Sequence, residues 1–284
     1  MNTDQLKRGC LYVVGTPIGN LEDMTFRAVR ILQQVDAIAA EDTRHTGKLL
    51  QHFQVTTPQI SYHDHNRFSR QQVLIDRLIA GDTIALVTDA GMPGISDPGY
   101  ELVKAALEEG ILVIPIPGVT AGVTALAVSG LPTDRFVFEG FLPTKGKERR
   151  ERLNCLKDET RTLIFYEAPH RLPQTLQDLA EVLGESRLIV LARELTKLHE
   201  EVWRGTLADA IAFYQQHSPK GEFTLVLEGA TLAEKESLSE AELKAELQQL
   251  LSQGMTRSQA SRHLAQLTSL PRRQIYQLAL DIED

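Results

Sequence analysis

The sequence predicts an α/β protein with a small helical domain at its carboxyl end, and three observations support that fold class. Up to residue 118, short apolar runs alternate with helical patterns, which is typical of a mostly parallel sheet covered on both faces. Residues 119–230 repeat the alternation with a different character, and residues 231–284 are helical and polar. We therefore predict two α/β domains, 1–118 and 119–230, with a ligand cleft between them, and a helical domain at 231–284.

The composition is that of an ordinary globular protein, since 42% of the 284 residues are hydrophobic and 24% are charged. The two cysteines, Cys10 and Cys155, are too few for a disulfide framework, which favours a reducing cytoplasm. No apolar stretch reaches the roughly 18 residues that a membrane helix needs, so a membrane location is not expected. The net charge of −8 argues against general attraction to nucleic acid, and DNA is not an expected partner. Local basic patches still allow a selective RNA contact.

The first α/β unit begins with an apolar strand at 11–14 that leads into a glycine-bearing turn and a helical pattern. A second strand, 37–40, ends in a polar cluster that starts at Glu41. Charged side chains at a strand end indicate a site, although the N-cap of a helix with an acidic first turn has the same appearance. The other predicted elements of this unit are the strands 60–62, 83–87 and 111–114 and the helices 68–79 and 101–109.

The central loop, residues 87–99 with the sequence VTDAGMPGISDPG, is the stretch around which we expect the site to be built. It follows a strand and precedes a helix, and ligands of open α/β sheets bind at the carboxyl ends of strands. Its glycines and prolines predict a long but stiff loop. It lacks both common phosphate-binding patterns, so a nucleoside ligand without a phosphate cradle is favoured. The alternative is a crowded connection whose helix is capped by Asp97.

The second α/β unit opens with a small, apolar helix at 119–129. Its predicted strands are 136–138, 162–166, 188–191 and 223–227, and polar residues again follow the strand ends. A basic helix lies between the first two of these strands, within 143–161. It is interpreted either as an RNA contact or as a solvated helix face.

Within the helical domain, residues 255–273 contain four arginines and no acidic residue. A capping box of Thr256 and Gln259 opens one helix, Leu270 and Pro271 open the next, and a further capping box is predicted at Ser239. Short helices joined by a tight turn are similar to a helix-turn-helix, whose surface could meet a nucleic-acid backbone. The alternative is a helical cap that closes a dimer.

Several motifs taken together resemble the ribosomal RNA small subunit methyltransferase I group of the tetrapyrrole methylase superfamily. They are VVGTPIGNLEDMTFRA, AEDTRHTGKLL, YHDHN, DAGMPGISDPG, IPGVTA, SGLPTDRFVFEGFLP, FYEAPHR, LARELTK and PKGEFTLVLEG. The resemblance covers 11–229 and the helical tail. It implies two α/β domains of the tetrapyrrole methylase type, S-adenosylmethionine as cofactor, and 2'-O-ribose methylation of a cytidine in the decoding region of 16S ribosomal RNA in the small subunit. It also implies a homodimer. The alternative is a methylase of a small tetrapyrrole-like substrate.

The same resemblance implies a set of site residues. The cofactor would contact Ile18, Gly91, Met92, Ile95, Thr120, Ala121, Phe165, Tyr166, Ala192, Lys220 and Gly221. The expected RNA contacts are Arg44, Lys145, Lys147, Arg149, Arg150, Arg257, Arg262, Arg272 and Arg273.

The candidates for a base that deprotonates the ribose hydroxyl are Glu41, His63 and Glu167, each of which is equally well explained by a structural hydrogen bond. His63 and His65 could share a metal, but no third ligand is evident nearby and the reaction needs none. No metal is expected.

Overall fold

The structure is a computed structural model that describes residues 7–231, 240–268 and 270–282. The chain divides into two compact units, of which the first holds both sheets and reaches Glu228. The second contains the residues from Gly229 onwards together with Asp158–Thr160. The segment Asp158–Thr160 is joined to this unit by a hydrogen bond of 2.6 Å, which the Ala230 amide donates to the Glu159 carbonyl oxygen. In the described chain no helix is both long and apolar enough to cross a membrane.

The first half of the chain alternates strands and helices as predicted. In chain order the elements are β1 (Cys10–Val14), α1 (Phe26–Gln34), β2 (Ala37–Ala40), α2 (Thr43–His52), β3 (Gln59–Ser61), α3 (Arg67–Ile79), β4 (Ile84–Val87), α4 (Tyr100–Glu108) and β5 (Leu112–Ile116). These strands form a parallel sheet in the order β3-β2-β4-β1-β5, which we call the first sheet. The predicted parallel architecture is confirmed.

Alternate residues of the first sheet pack into separate cores on its two faces. Tyr12 and Val14 of β1 lie with the α1 residues Ile31 and Leu32 on one face. Leu11 lies on the other face in a core that includes residues of α3 and α4. The strands β1, β2 and β4 are buried on both faces and read as continuous apolar runs, whereas the edge strands β3 and β5 are partly exposed.

The strand predicted to end before Pro115 continues through it. Pro115 pairs with Val13 within β5, which lies at the edge of the first sheet. An edge strand has hydrogen bonds to one neighbour only, so the missing N–H of proline costs it little. The predicted end of this strand was therefore too early.

The second half forms a mixed sheet. Its elements are α5 (Ala121–Ser129), β6 (Phe136–Phe141), α6 (Gly146–Cys155), β7 (Thr162–Glu167), α7 (Leu172–Leu183), β8 (Leu188–Arg193), β9 (Glu201–Thr206), α8 (Leu207–Gln216) and β10 (Phe223–Leu227). The order is β6-β7-β10-β8-β9, in which only the β6–β7 pair is parallel. We call this the second sheet. α5 covers one face, and α6, α7 and α8 cover the other.

The second unit contains, in its described part, the helices α9 (Glu240–Ser252), α10 (Arg257–Leu267) and α11 (Arg272–Leu280). They share a core that includes Leu243, Leu247, Ala260, Leu264 and Ile275. The capping box of Thr256 and Gln259 at the start of α10 is confirmed, with both reciprocal hydrogen bonds present. The capping box predicted at Ser239 lies outside the described residues.

Candidate active site

The loops that follow β1, β4 and β5 contact one another at the carboxyl ends of these strands in the first sheet. Thr16 and Gly91 exchange backbone hydrogen bonds of 2.9 and 3.1 Å, and the Thr16 hydroxyl donates to the Thr88 carbonyl oxygen at 3.1 Å. The backbones at Gly15 and Gly118 touch, since a Cβ on Gly15 would lie 2.7 Å from the Gly118 Cα. Only glycine allows this approach, and the result is a rigid floor for a ligand.

The central loop adopts strained backbone where it turns. Ser96 has φ of 63°, a left-handed conformation that is uncommon for a residue with a side chain. α4 begins after Gly99, which has φ of 150°, and no side chain caps this helix. The alternative in which Asp97 caps the helix is therefore wrong, because the chain turns through Gly99 before the helix starts.

A cleft of about 410 Å³ lies between these loops and residues of β6, β7 and β10 in the second sheet. The predicted cofactor residues that line it are Ile18, Gly91, Met92, Ile95, Thr120, Ala121 and Tyr166. The lining residues not predicted as cofactor contacts are Ala90, Ser96, Asp97, Phe141, Glu167, Ala168, Pro169, Glu222, Phe223 and Thr224. Seven of the eleven predicted cofactor residues therefore line one cleft, and their contact with the cofactor stays a prediction.

Four predicted cofactor residues, Phe165, Ala192, Lys220 and Gly221, are not part of the cleft lining. Phe165 is 1% exposed and packs in the core on the α7 side, because adjacent strand residues point to opposite faces and Tyr166 takes the cleft face. Ala192 is also buried, beneath α5. Instead of Lys220 and Gly221, the cleft is lined by the residues that follow them, from Glu222 to Thr224.

Tyr166 is held in the cleft wall by its hydroxyl and its ring. The Gly122 amide of α5 donates to the hydroxyl oxygen at 3.1 Å, and the ring meets Phe138 and Phe141 edge to face. Burial, with a contribution from the charge of Asp97, raises the pKa of Tyr166. The phenol therefore stays protonated near neutral pH and can donate a hydrogen bond.

The cleft lining is acidic, with the carboxylates of Asp97, Glu167 and Glu222 and with no lysine, arginine or histidine. Glu222 is ion-paired with Lys197 at 2.7 Å. Burial raises the pKa of Asp97 to about 7, and the negative charges of Glu41, Asp89 and Asp64 add to the increase. Such a cleft disfavours a polyphosphate and favours a ligand with positive charge.

Glu167, a predicted base, has a structural role. Its side chain is 1% exposed, it accepts a hydrogen bond from the Thr175 hydroxyl at 2.5 Å, and it pairs with Arg171 at 3.3 Å. The Ala168 amide donates to the same carboxylate at 2.9 Å. Both oxygens are thus occupied by groups that fix α7 against β7.

The other two predicted bases, Glu41 and His63, do not line the cleft. Glu41 accepts a hydrogen bond from the Asp89 amide at 3.3 Å, and burial raises its pKa. The His63 ring lies 5.9 Å from that of His65, and its Nδ1 is buried with no hydrogen-bond partner in the described part of the chain. Among the described residues no group of three or more histidine, cysteine or acidic side chains could hold a metal ion.

The polar cluster that starts at Glu41 also contains the N-cap of α2. The Asp42 carboxylate accepts from the Arg44 amide at 2.8 Å and pairs with the Arg44 guanidinium, whose side chain is 88% exposed. The N-cap interpretation of this cluster is therefore right for Asp42. The Arg44 side chain remains exposed to solvent while it is paired with Asp42.

Two of the predicted RNA contacts are structural. Arg149 is 6% exposed and donates to Asp178, the Pro143 carbonyl and Thr175. Arg257 donates to the carbonyl oxygens of Ala279 and Ile282 at the end of α11, as basic residues near helix ends often do. Because its donors are used inside the protein, Arg149 cannot serve as an RNA contact. The exposed predicted residues are Arg44, Lys145, Lys147, Arg150, Arg262, Arg272 and Arg273.

Solved structures with a related fold are methyltransferases. A uroporphyrin-III C-methyltransferase from Thermus thermophilus, complexed with S-adenosyl homocysteine, is 20% identical with a TM-score of 0.55 over 76% of this chain and 96% of its own. The methyltransferase CobJ is also 20% identical, with a TM-score of 0.58 over 78% of this chain and 95% of its own. At these identities the likeness shows the fold alone.

The family model described as Tetrapyrrole (Corrin/Porphyrin) Methylases matches residues 10–211, so the chain belongs to this class of methylases. A ribosomal RNA small subunit methyltransferase I of Synechocystis is 64% identical over 97% of this chain and 99% of its own length. One from Halalkalibacterium halodurans is 51% identical over 95% and 94%. The chain belongs to the ribosomal RNA small subunit methyltransferase I family.

Proposed function

We propose that the protein methylates the ribose 2'-hydroxyl of a cytidine in the decoding region of 16S ribosomal RNA. The observation that carries the proposal is the identity of 64% to a ribosomal RNA small subunit methyltransferase I along nearly the whole of both chains. A likeness of that extent includes the helical unit, which the family model for tetrapyrrole methylases does not reach. The proposed compartment is the cytoplasm, where ribosomes are made.

S-adenosylmethionine is the cofactor, and the cleft fits it. The lining has carboxylates and no basic side chain, which suits a sulfonium and an ammonium group. The apolar residues Ile18, Met92 and Ile95 suit the adenosine. When bound, the cofactor supplies a methyl group that is already activated towards a nucleophile.

The contribution of the chain is to orient and desolvate the reacting groups. The interlocked loops at Thr16, Gly91 and Gly118 give the cleft a fixed floor, and positioning of this kind accounts for much of the rate of a two-substrate transfer. Tyr166 can donate its hydroxyl proton to a polar group in the cleft.

The RNA is proposed to contact exposed basic residues on α6 and in the helical unit. Lys145, Lys147 and Arg150 lie at or near the start of α6, while Arg262 and Arg272 lie on α10 and α11. Cations in these places can pair with phosphates although the whole chain is acidic.

A homodimer is proposed as well, and its test is sedimentation at micromolar concentration.

Methyl transfer to three substrates tests the proposal. Purified protein and labelled S-adenosylmethionine would be incubated with small ribosomal subunits that lack the modification, with free 16S ribosomal RNA and with a porphyrinoid. We expect label in the RNA or subunits, recovered as 2'-O-methylcytidine after nuclease digestion. Methylation of the porphyrinoid alone would support the alternative, a small-molecule methylase. Label on a base or on another nucleotide would refute the cytidine 2'-hydroxyl as the target.

A further inference from the structure

Asp97 places in the cleft a carboxylate that has no structural task. It lines the cleft, no side chain caps α4, and among the described residues neither a hydrogen bond nor a cation accounts for it. The residue before it, Ser96, holds a left-handed backbone conformation. Strained backbone of this kind persists where the surrounding structure enforces it, and it is common at functional sites.

The other titratable groups of the cleft are committed elsewhere. Glu167 is saturated by Thr175, Arg171 and the Ala168 amide. Glu222 is paired with Lys197, and its side chain is 81% exposed. Tyr166 accepts a bond from Gly122 and stays protonated. Asp97 is therefore the group in the lining that can take up a proton.

We propose that Asp97 is the general base of the methyl transfer, accepting on a carboxylate oxygen the proton of the attacking ribose 2'-hydroxyl. This inference rests on the function proposed above. As the hydroxyl oxygen bonds to the methyl carbon, its proton passes to Asp97. The electron pair of the broken carbon–sulfur bond remains on sulfur, which becomes a neutral thioether. Asp97 then releases the proton to water, so charge and atoms balance.

The surroundings of Asp97 match this task. Burial is the main reason that its pKa is raised to about 7, and Glu41, Asp89 and Asp64 face it from the first sheet with like charge. From the second sheet it is faced by Tyr166, which is neutral. A base works best when its pKa is near the working pH, because it is then ionised often enough and still basic enough.

The test is Asp97→Asn in the full chain. We expect kcat on the ribosomal substrate to fall by about 100-fold or more, while the Kd of S-adenosyl homocysteine and of the RNA changes less than about threefold. The wild-type rate should rise with pH through an inflection near pH 7, and the variant should lack it. Independently of activity, carbon NMR of protein with labelled aspartate should show a carboxyl that titrates near pH 7 in the wild type and is missing in Asp97→Asn.

Two further variants serve as controls. Asp97→Glu keeps a carboxylate and should retain more activity than Asp97→Asn, which separates lost chemistry from lost folding. Asp64→Asn removes the smallest of the three like charges, one that is paired with Arg67 outside the cleft lining, so the inflection should move only slightly to lower pH with an unchanged plateau rate.

The proposal is overturned if Asp97→Asn keeps its plateau rate, if it keeps the inflection, or if it loses S-adenosyl homocysteine affinity. A wild type that fails to methylate the ribosomal substrate would refute the proposed function instead, and the NMR titration would still be readable.

Discussion

At the scale of single residues, the charge of the cleft makes a prediction about Ile95. This side chain lines the cleft and is 46% exposed, so a lysine can replace it without disturbing the core. Ile95→Lys should weaken binding of S-adenosylmethionine, which carries a sulfonium, by about tenfold or more. Binding of S-adenosyl homocysteine, which lacks that charge, should weaken less. Calorimetry with both ligands measures the difference.

The matched control is Ile79→Lys, which makes the same change at a 60% exposed position at the end of α3. It should leave both affinities unchanged. If Ile95→Lys weakened the two ligands equally, the effect would be steric, and the idea that the acidic lining selects a cation would be wrong.

Asp97 also predicts a dependence of stability on pH. Its pKa is about 7 in the folded protein against an ordinary value of 3.8, so the folded state holds the proton more tightly than the unfolded state. Ionisation between about pH 4 and pH 7 therefore destabilises the fold. Asp97→Asn should match the wild type near pH 4 and exceed it by on the order of 1 to 3 kcal/mol at pH 8. Thermal unfolding at both values checks this, and an equal Tm at pH 8 would contradict it.

For the candidate site, the sequence indicated which loops line the cleft better than it indicated what each side chain does there. The central loop was recognised because glycine and proline mark it, while Thr120 and Ala121 were expected from the family resemblance; Gly91, Thr120 and Ala121 do line the cleft. Asp97 was interpreted only as an alternative helix cap, since sequence alone does not show where α4 starts. Glu167 was a candidate base because it is an acidic residue at a strand end. The sequence does not show that Thr175 of α7 and Arg171 at its N-cap occupy the carboxylate, because those contacts depend on how the helix packs against β7.

At the scale of elements, two neighbouring arginines on α6 should behave in opposite ways. Arg149 is buried and joins α6 to Asp178 and Thr175 of α7, whereas Arg150 is exposed. Arg149→Met should lower the free energy of unfolding by roughly 3 kcal/mol, because it removes the cation paired with Asp178 and the donors to Thr175 and the Pro143 carbonyl. Arg150→Met should change it by less than about 0.5 kcal/mol. Denaturant titrations of both variants give the comparison.

RNA binding should show the reverse pattern. Arg150→Met should reduce the slope of log affinity against log salt by about 0.7, while Arg149→Met leaves it unchanged if the protein is folded. Equal slopes for wild type and Arg150→Met would mean that this face of α6 is solvated and does not contact RNA.

The elements of the first sheet were predictable because parallel strands buried on both faces appear as apolar runs between helices. In the second sheet β9 was missed. Glu201–Thr206 has charged and polar residues and few apolar ones, and this strand lies at the sheet edge with none of its residues fully buried. The antiparallel arrangement was also missed, since strand direction depends on connections that composition does not reveal.

At the scale of the whole molecule, the helical unit separates an RNA enzyme from a small-molecule enzyme. Arg262, Arg272 and Arg273 are exposed, so replacing all three by glutamine should weaken RNA binding and reduce the salt slope by about 0.7 to 0.9 for each lost phosphate contact. Affinity for S-adenosyl homocysteine should not change. Lys104→Gln on α4, also exposed, is the control for charge loss alone. Should the triple variant keep full RNA affinity and instead lose a dimer in sedimentation, the helical unit would be an assembly element.

The order of strands in the first sheet has a consequence for the newly made chain. β1 pairs with β4 and β5, whose partner residues begin at Ile84 and Leu112, so the first strand synthesised has no neighbour until much of the sheet has followed. At about 5 to 20 residues per second, the wait from Val14 to Ile84 lasts roughly 4 to 14 s. During that interval the apolar segment Cys10–Val14 has no partner strand from its own chain. Nascent chains of this protein should therefore depend on ribosome-associated chaperones most strongly before β4 emerges.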